Sequence, residues 1–331
     1  MINYSRRHFM AAAAFASLVA AAASIGAAEP EQEYEMFDSK NFDHSTTIDN
    51  KWFPLKPGMR YVWDGVNVDE DGEVESQSVV LAVTDLTKLI DGVRTVVCWE
   101  RDIVDRELEE AEIYFAAQDN SGTVWLLGEY PEEYDDKKLE AAPCWIHGIQ
   151  DAKAGIMMLA DPKIGLPSYS QGWAPAVEFT DRGAVHQTGD KTSVPFGSYD
   201  DVLVIDEYNK EEPGAFQLKY YARGVGNVRV GWRGDVTDQE TLELVQIEEL
   251  SAEELAKAGD EALKLERHAY EISKDVYGRT KPLERGAAIA IAQYDDCWGR
   301  IGPSSNQGRN LHYEQCIEDR ADRLNLTWHC R

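Results

Sequence analysis

Between residues 60 and 250, short stretches of alternating apolar and polar residues are separated by turn-forming residues. Alternation with a period of two is typical of a β-strand that buries one face only. The stretches 60–67 and 73–84 flank the turn Asp69-Glu-Asp-Gly72, and the stretches 95–105, 109–117 and 123–129 follow in the same manner. Strands joined by tight turns predict a mainly β fold built on an antiparallel sheet.

The alternation weakens between residues 141 and 195, where four prolines interrupt any long element. Strands are predicted again at 202–208, 216–222, 227–233 and 241–250. We therefore expect an irregular segment between two sets of strands, and such segments often carry functional residues.

At residue 251 the pattern changes to a helical one. Ser251-Ala-Glu-Glu254 is a capping box, which marks the start of a helix. Apolar residues follow at helical spacing to about residue 274, and two further short helices are predicted at 284–293 and 313–324. The C-terminal part is thus predicted to be helical.

The first residues have the form of a targeting segment. Ser5-Arg6-Arg7-His8-Phe9 precedes an alanine-rich run at 11–23 and a small-residue site at Gly26-Ala27-Ala28. Paired arginines before a mildly apolar run are typical of a twin-arginine signal, and this run is a poor membrane anchor. We expect export by the twin-arginine machinery, cleavage after Ala28, and a soluble periplasmic or secreted protein without a stable membrane anchor.

The chain is accordingly divided into a signal peptide at 1–28, an antiparallel β domain at 29–250 and a helical, cysteine-bearing C-terminal extension at 251–331. Cysteines in an oxidising compartment tend to form disulfides. Three of the five cysteines lie in the extension, and a pairing among them is predicted; these tail cysteines are Cys297, Cys316 and Cys330. Cys98 and Cys144 lie in apolar surroundings and are equally well explained as buried thiols.

The charge balance restricts the partners. The chain has 33 basic and 60 acidic residues, which gives a formal charge of -27. Binding of nucleic acid is disfavoured, because both partners are strongly negative. Cationic ligands and metal ions are attracted, although the same charge also serves to keep an exported protein in solution.

Four phrases in the β region occur together: Ile48-Asp-Asn-Lys-Trp-Phe-Pro-Leu-Lys-Pro-Gly58, Asp119-Asn-Ser-Gly-Thr-Val-Trp-Leu-Leu-Gly-Glu129, Ala154-Gly-Ile-Met-Met-Leu-Ala-Asp-Pro162 and Tyr220-Tyr-Ala-Arg-Gly-Val-Gly226. In this combination the chain resembles a widespread, largely uncharacterised family of exported bacterial β proteins, over most of residues 40–230. The resemblance implies a curved antiparallel sheet or half-barrel and no established activity.

Aromatic residues are concentrated in the β region and suggest a ligand cavity. Tyr61 and Trp63 are two residues apart on one predicted strand and therefore share a face. We expect a small apolar or cationic ligand on the concave face, held by Tyr61, Trp63, Trp99 and Trp125, with Trp173 and the segment to residue 181 forming the rim. The alternative is that these rings are ordinary core residues.

Two other functions remain open. Glu178, Asp181 and His186 lie close together in the irregular segment and could hold a metal or transfer protons in an extracytoplasmic enzyme, or could be plain surface residues. A nucleophilic serine elbow, a phosphate-binding glycine loop, a dinucleotide fingerprint and a zinc peptidase motif are all absent from the sequence. In the third interpretation the protein is an interaction module whose C-terminal tail binds another exported protein. The sequence leaves the cofactor unknown.

Overall fold

The computed structural model describes residues 32–286 except 70, 71, 211 and 238. Sixteen strands and one α-helix make up most of this part of the chain. The strands are β1 Met59–Val68, β2 Val74–Ile90, β3 Val93–Val104, β4 Glu107–Gln118, β5 Val124–Asp135, β6 Lys138–Ala141, β7 Trp145–Ile146, β8 Lys153–Met158, β9 Tyr169–Ser170, β10 Gly172–Trp173, β11 Arg182–Val194, β12 Gly197–Tyr208, β13 Ala215–Ala222, β14 Gly226–Gly234, β15 Thr241–Glu249 and β16 Glu284–Arg285. The helix, α1, is Ala252–Ile272, and short 3₁₀ helices lie at Ser39–Asn41, Pro175–Val177 and Tyr277–Arg279.

The strands form one curved antiparallel sheet, so the predicted fold class is confirmed. The order along the sheet is β10, β8, β5, β4, β3, β2, β1, β15, β14, β13, β12, β11, β9, while β6 and β7 pair with β5 and β16 pairs with β2. The strands at the two ends of this path, β9 and β10, are separated in sequence by Gln171 alone. This short segment therefore connects the two edges of the sheet.

The inner face of the sheet encloses a large apolar cluster. Directly paired residues of neighbouring strands point to the same face, and the register aligns Tyr61 with Leu81 and Leu81 with Glu100 across β1, β2 and β3. Val79, Leu203, Val230 and other aliphatic side chains complete this inner cluster. The apolar residues that alternate along these strands in the sequence are thus the ones that point to the inner face.

The outer face of β2–β5 is buried as well, because α1 and the residues that follow it pack against this face. Leu265 and Ala269 of the helix contact a second cluster that contains Val97 and Phe115 of the sheet. The predicted capping box is present: the Ser251 hydroxyl accepts from the Glu254 backbone N–H, and the Glu254 carboxylate accepts from the Ser251 backbone N–H at 2.9 Å. The helix forms as the sequence predicts and seals one side of the sheet.

A lysine is buried beneath this helix. Lys88 is fully buried; its ammonium donates to the Lys281 carbonyl at 2.8 Å and lies 3.5 Å from the Glu266 carboxylate and 4.0 Å from the centre of the Tyr277 ring. Burial lowers the pKa of Lys88 to about 8, although Glu266 opposes the change. The ion pair ties β2 to the helix.

Two expectations about the irregular and C-terminal regions were wrong. Arg182–Val194 is a long strand paired with β12, with several register irregularities and a largely exposed, polar outer part. Bulges and glycines blur a period of two, which explains why the sequence pattern missed it. Glu284 and Arg285, where a helix was predicted to begin, form the short strand β16 on β2.

Several predicted features lie outside the described residues: the signal segment, the three tail cysteines and the helix at 313–324. Cys98 and Cys144 are buried free thiols. Burial raises the pKa of each of these thiols to about 12. Within the described part of the chain, no helix is both long and apolar enough to cross a membrane.

Candidate functional site

A cavity lies inside the curved sheet. The space between its lining atoms, counted with the mouth that opens to solvent, is about 580 Å³, and the enclosed part is smaller. The lining residues come from both halves of the sheet and from two loops: Phe53, Pro54, Leu55, Tyr61, Trp63, Leu81, Glu100, Tyr114, Met157, Gln171, Glu207, Lys219, Tyr221, Val225, Gly226 and Asn227. The cavity is thus shared by strands that are distant along the sheet.

One wall of the cavity is aromatic. Tyr61 and Trp63 project from the same face of β1, and their rings stack with centres 5.9 Å apart and an angle of 16° between the planes. The Trp63 indole N–H donates to the Asn227 carbonyl of β14 at 3.1 Å, which fixes the orientation of the ring. Because these rings are held by strand geometry and a hydrogen bond, they present a preformed apolar surface.

The opening of the cavity is formed by two loops. Phe53 and Pro54 precede β1, Val225 precedes β14, and all three remain partly exposed. A hydrogen bond from the Gly224 N–H to the Lys51 carbonyl, 2.7 Å long, joins the loops. The Arg223 guanidinium also lies over the Trp52 ring, 4.2 Å from its centre, so the loops are held together by more than one contact.

Another part of the cavity lining, here called the polar end, consists of charged and amide groups. The Lys219 ammonium lies 3.8 Å from the Glu207 carboxylate, which also accepts a hydrogen bond of 2.7 Å from the Gln171 amide. Glu100 enters the cavity from β3 and is buried, with 6% of its surface exposed, and burial raises its pKa. The polar end therefore combines two carboxylates with one ammonium group.

Further carboxyl groups lie on the inner face beside this polar end. Glu112 of β4 is paired directly with Glu100, is 1% exposed, and neither of its carboxylate oxygens has a hydrogen-bond partner. Burial raises the pKa of Glu112 well above its usual range, and the nearby charge of Glu129 raises it further. Glu129 itself accepts a hydrogen bond of 2.9 Å from the Trp145 indole.

A second acidic pair lies next to the first. Asp102 and Glu240 both bind the Gln77 amide, at 2.7 and 2.9 Å, and Glu240 also accepts from the Gln217 amide. Burial raises the pKa of Asp102 well above its usual range and that of Glu240 to about 7. The interior of the sheet is therefore rich in carboxyl groups that are costly to ionise.

The five aromatic residues predicted to bind a ligand do not share one face. Tyr61 and Trp63 line the cavity. Trp99 is paired with Ala82, lies on the outer face and is covered by the Arg101 guanidinium at 4.5 Å. Trp125 also belongs to the outer cluster, where its indole donates to Asp119 at 2.9 Å.

Trp173 is likewise not among the residues that line the cavity; its ring lies 6.4 Å from that of Tyr34. The expected common cavity face is therefore wrong for Trp99 and Trp125, and Trp173, expected at the rim, does not line the cavity. The physical reason is register: Trp99 follows Cys98 and precedes Glu100, both of which point inward, so the tryptophan must point outward. No residue of 173–181 is among those that line the cavity, whereas Gln171, two residues before Trp173, does line it.

The predicted metal ligands are not brought together. Glu178 ends a 3₁₀ helix in a left-handed conformation, while His186 lies on β11 and pairs with Asp206 of β12 at 3.1 Å. Asp206 in turn pairs with Arg233 at 2.7 Å. Among the described residues, no group of three or more histidine, cysteine or acidic side chains could hold a metal ion. The expected site formed by Glu178, Asp181 and His186 is absent from this part of the chain.

Comparisons with known proteins find solved structures that have a limited likeness to this chain. No protein-family model matches the chain, and no curated protein matches it. A protein inferred to be exported, with a YmcC-like fold, from Bacteroides fragilis is similar over 60% of this chain and 98% of its own, with 12% identity and a TM-score of 0.31. An inferred lipoprotein from Parabacteroides distasonis has 13% identity and a TM-score of 0.32, over 62% of this chain and 100% of its own. A β-barrel-like protein of a domain of unknown function from Brucella abortus has 12% identity and a TM-score of 0.37, over 58% of this chain and 98% of its own.

Proposed function

We propose that this chain is an exported binding protein that holds a small, partly apolar or cationic ligand inside its curved sheet. The observation that carries the proposal is the cavity itself, which joins a rigid aromatic wall of Tyr61 and Trp63 to a polar end with Glu100 and Glu207. Ligand sites commonly combine an apolar lining with a few fixed polar groups in this way. An enzymatic function has less support, because the predicted carboxylate and histidine residues do not converge.

A blocked entrance tests the proposal. Val225 is a partly exposed lining residue that packs on the edge of the inner cluster, so Val225→Trp should fill the space beside it, and urea unfolding checks that the variant is folded. Val74 is 65% exposed and is not among the residues lining the cavity, so Val74→Trp is a matched control for the added indole. We expect small molecules released by denaturing the purified protein to be recovered, by mass spectrometry, from the wild type and the control but not from Val225→Trp. Equal recovery from all three proteins, or from none, would contradict binding in the cavity.

We propose further that the chain is exported by the twin-arginine machinery and functions in the periplasm or outside the cell. The support is the sequence around Arg6 and Arg7. Replacing both arginines with lysine should leave the precursor in the cytoplasm, because the paired guanidinium groups are the recognition element. Normal export of the Arg6→Lys/Arg7→Lys protein in cell fractionation would show that another route is used.

A further inference from the structure

The interior around the cavity carries an excess of acidic groups. Glu100 and Glu207 line it together with one cation, Lys219. Four further carboxyl groups lie close by on the inner face without lining the cavity: Glu112 of β4, Asp102 of β3, Glu129 of β5 and Glu240 before β15. Together with Lys219 of β13, they are the charged groups that act on Glu100 and on one another. One ammonium group cannot balance so many carboxylates at close range.

Lys219 is shared among several of these acids. Its ammonium is almost completely buried and lies 3.8 Å from the Glu207 carboxylate, which also accepts the Gln171 amide hydrogen bond. Its positive charge also favours the ionised forms of Glu100 and Glu240. One lysine therefore serves at least three carboxyl groups, and Glu100 faces the cavity on the other half of the sheet.

Glu100 has an unusual neighbour in Glu112. The two residues are directly opposite each other on β3 and β4, an arrangement that is unfavourable for like charges. Glu112 is 1% exposed and neither of its oxygens has a hydrogen-bond partner. Burying a carboxyl group without hydrogen-bond partners destabilises the folded protein, and a positive charge bound beside the pair would offset that loss of stability.

The aromatic wall suits the same kind of ligand. Tyr61 and Trp63 present stacked, parallel rings, and Trp63 is held by its hydrogen bond to Asn227. The face of an indole or phenol ring attracts a cation within about 6 Å, most strongly where water is excluded. Tyr114 also lines the cavity with a buried hydroxyl whose polar neighbour is the Cys98 thiol, a weak hydrogen-bonding group.

We propose that the ligand of this cavity is a small organic monocation, such as an alkylammonium, whose charge is balanced by the Glu100–Glu112 pair and whose alkyl groups contact Tyr61 and Trp63. The inference rests on the proposed binding function and specifies its ligand class. A neutral ligand of the same shape would leave the acidic pair uncompensated. A divalent metal ion would find no suitable cluster among the described residues.

Two probes of equal shape separate charge from size: choline and its neutral isostere 3,3-dimethylbutan-1-ol. Isothermal titration calorimetry at pH 8 should show choline binding at least about tenfold more tightly than the alcohol, because a buried charge partner is worth this much or more. Glu100→Gln should weaken choline binding by at least about tenfold and leave binding of the alcohol unchanged. Glu112→Gln should weaken choline binding in the same direction. Glu253→Gln, at an exposed position of α1, is the control and should bind like the wild type.

The outcomes distinguish the two proposals. If the alcohol binds as tightly as choline, the cavity is a binding site and the organic-cation inference is overturned. If choline binds equally well to the wild type and Glu100→Gln, while urea unfolding shows that the variant is folded, the cation is held elsewhere and the inference is also overturned. If neither probe binds and denatured protein releases no small molecule, the proposed binding function fails first.

Discussion

Glu240 provides the sharpest test of the buried acidic interior. Its carboxylate accepts hydrogen bonds of 2.9 Å from the Gln77 amide and 2.5 Å from the Gln217 amide, and 9% of its surface is exposed. Burial raises its pKa from the ordinary value of 4.5 to about 7. Because the Gln77 carbonyl oxygen has no hydrogen-bond partner, rotation of this amide lets the oxygen accept a hydrogen bond from a neutral side chain at position 240, although the amide then no longer donates to Asp102. Glu240→Gln therefore imitates the protonated acid.

The sign follows from proton linkage. The folded protein holds the Glu240 proton more tightly than the unfolded chain, so this group favours folding at low pH. That contribution is complete below about pH 4.5 and is lost as the pH rises through about 7. Such a change corresponds to roughly 3 kcal/mol of the free energy of unfolding. The wild type should accordingly lose stability between pH 5 and 8 relative to Glu240→Gln, by about this amount.

Urea unfolding at intervals from about pH 5 to pH 8 measures the effect. The two proteins should be nearly equal in stability at the acidic end, and the variant should be more stable at the basic end. Asp102 strengthens the trend, because the Glu240 charge contributes to its raised pKa and the substitution removes that charge. Glu212→Gln, at an exposed position, should show no such divergence from the wild type. A stability difference between wild type and Glu240→Gln that stays constant with pH would refute the reasoning.

Three further predictions concern packing and covalent structure. A Cβ atom at Gly155 would lie 2.1 Å from the backbone of Gln171, so Gly155→Ala should destabilise the protein by about 3 kcal/mol at the junction between the sheet edges. Gly231→Ala is the control, because a Cβ atom there would make only an ordinary contact at 3.7 Å and should cost much less. Thermal unfolding of the two variants measures the difference. The pKa of Lys88 is lowered from 10.5 to about 8, so above pH 8 the unfolded chain binds more protons than the folded protein. The free energy of unfolding should therefore rise from pH 8 towards 9.5 in the wild type but not in Lys88→Met. Two of the three tail cysteines should be joined by a disulfide worth about 2–4 kcal/mol; modification of all three by a thiol reagent without reductant would contradict it.

The sequence predicted the strands where one face is clearly polar and the helix where a capping box marks its start. Both predictions rest on local physics: the period of two in β1 and β2, and the paired hydrogen bonds of Ser251 and Glu254. Arg182–Val194 was missed because its pairing partner, β12, determines its structure more than its own residues do. Local patterns are weakest where a strand is bulged and mostly exposed.

The candidate site was predicted only in part, because register cannot be read from a single strand. Tyr61 and Trp63 were placed together correctly, since residues two apart on one strand must share a face. In the actual register of β2 and β3, Trp99 is opposite Ala82 and Glu100 is opposite Leu81. Trp99 would face the cavity only if this register were shifted by one residue. With α1 covering the outer face, both faces of β3 are buried, and hydrophobicity alone does not say which face is inside.

In a strand that is buried on both faces, charged residues indicate which face points into the cavity, whereas hydrophobicity does not. A tryptophan fits equally well against the helix or in the cavity, since either environment buries its ring. A carboxylate within a buried stretch does not, because its burial is costly unless something compensates it. Glu100 and Glu112 face each other in the buried parts of β3 and β4, which makes these acids a more specific signal of the site than any of the aromatic rings. The proposal of a positively charged ligand therefore rests chiefly on the residues that fit least well with their surroundings.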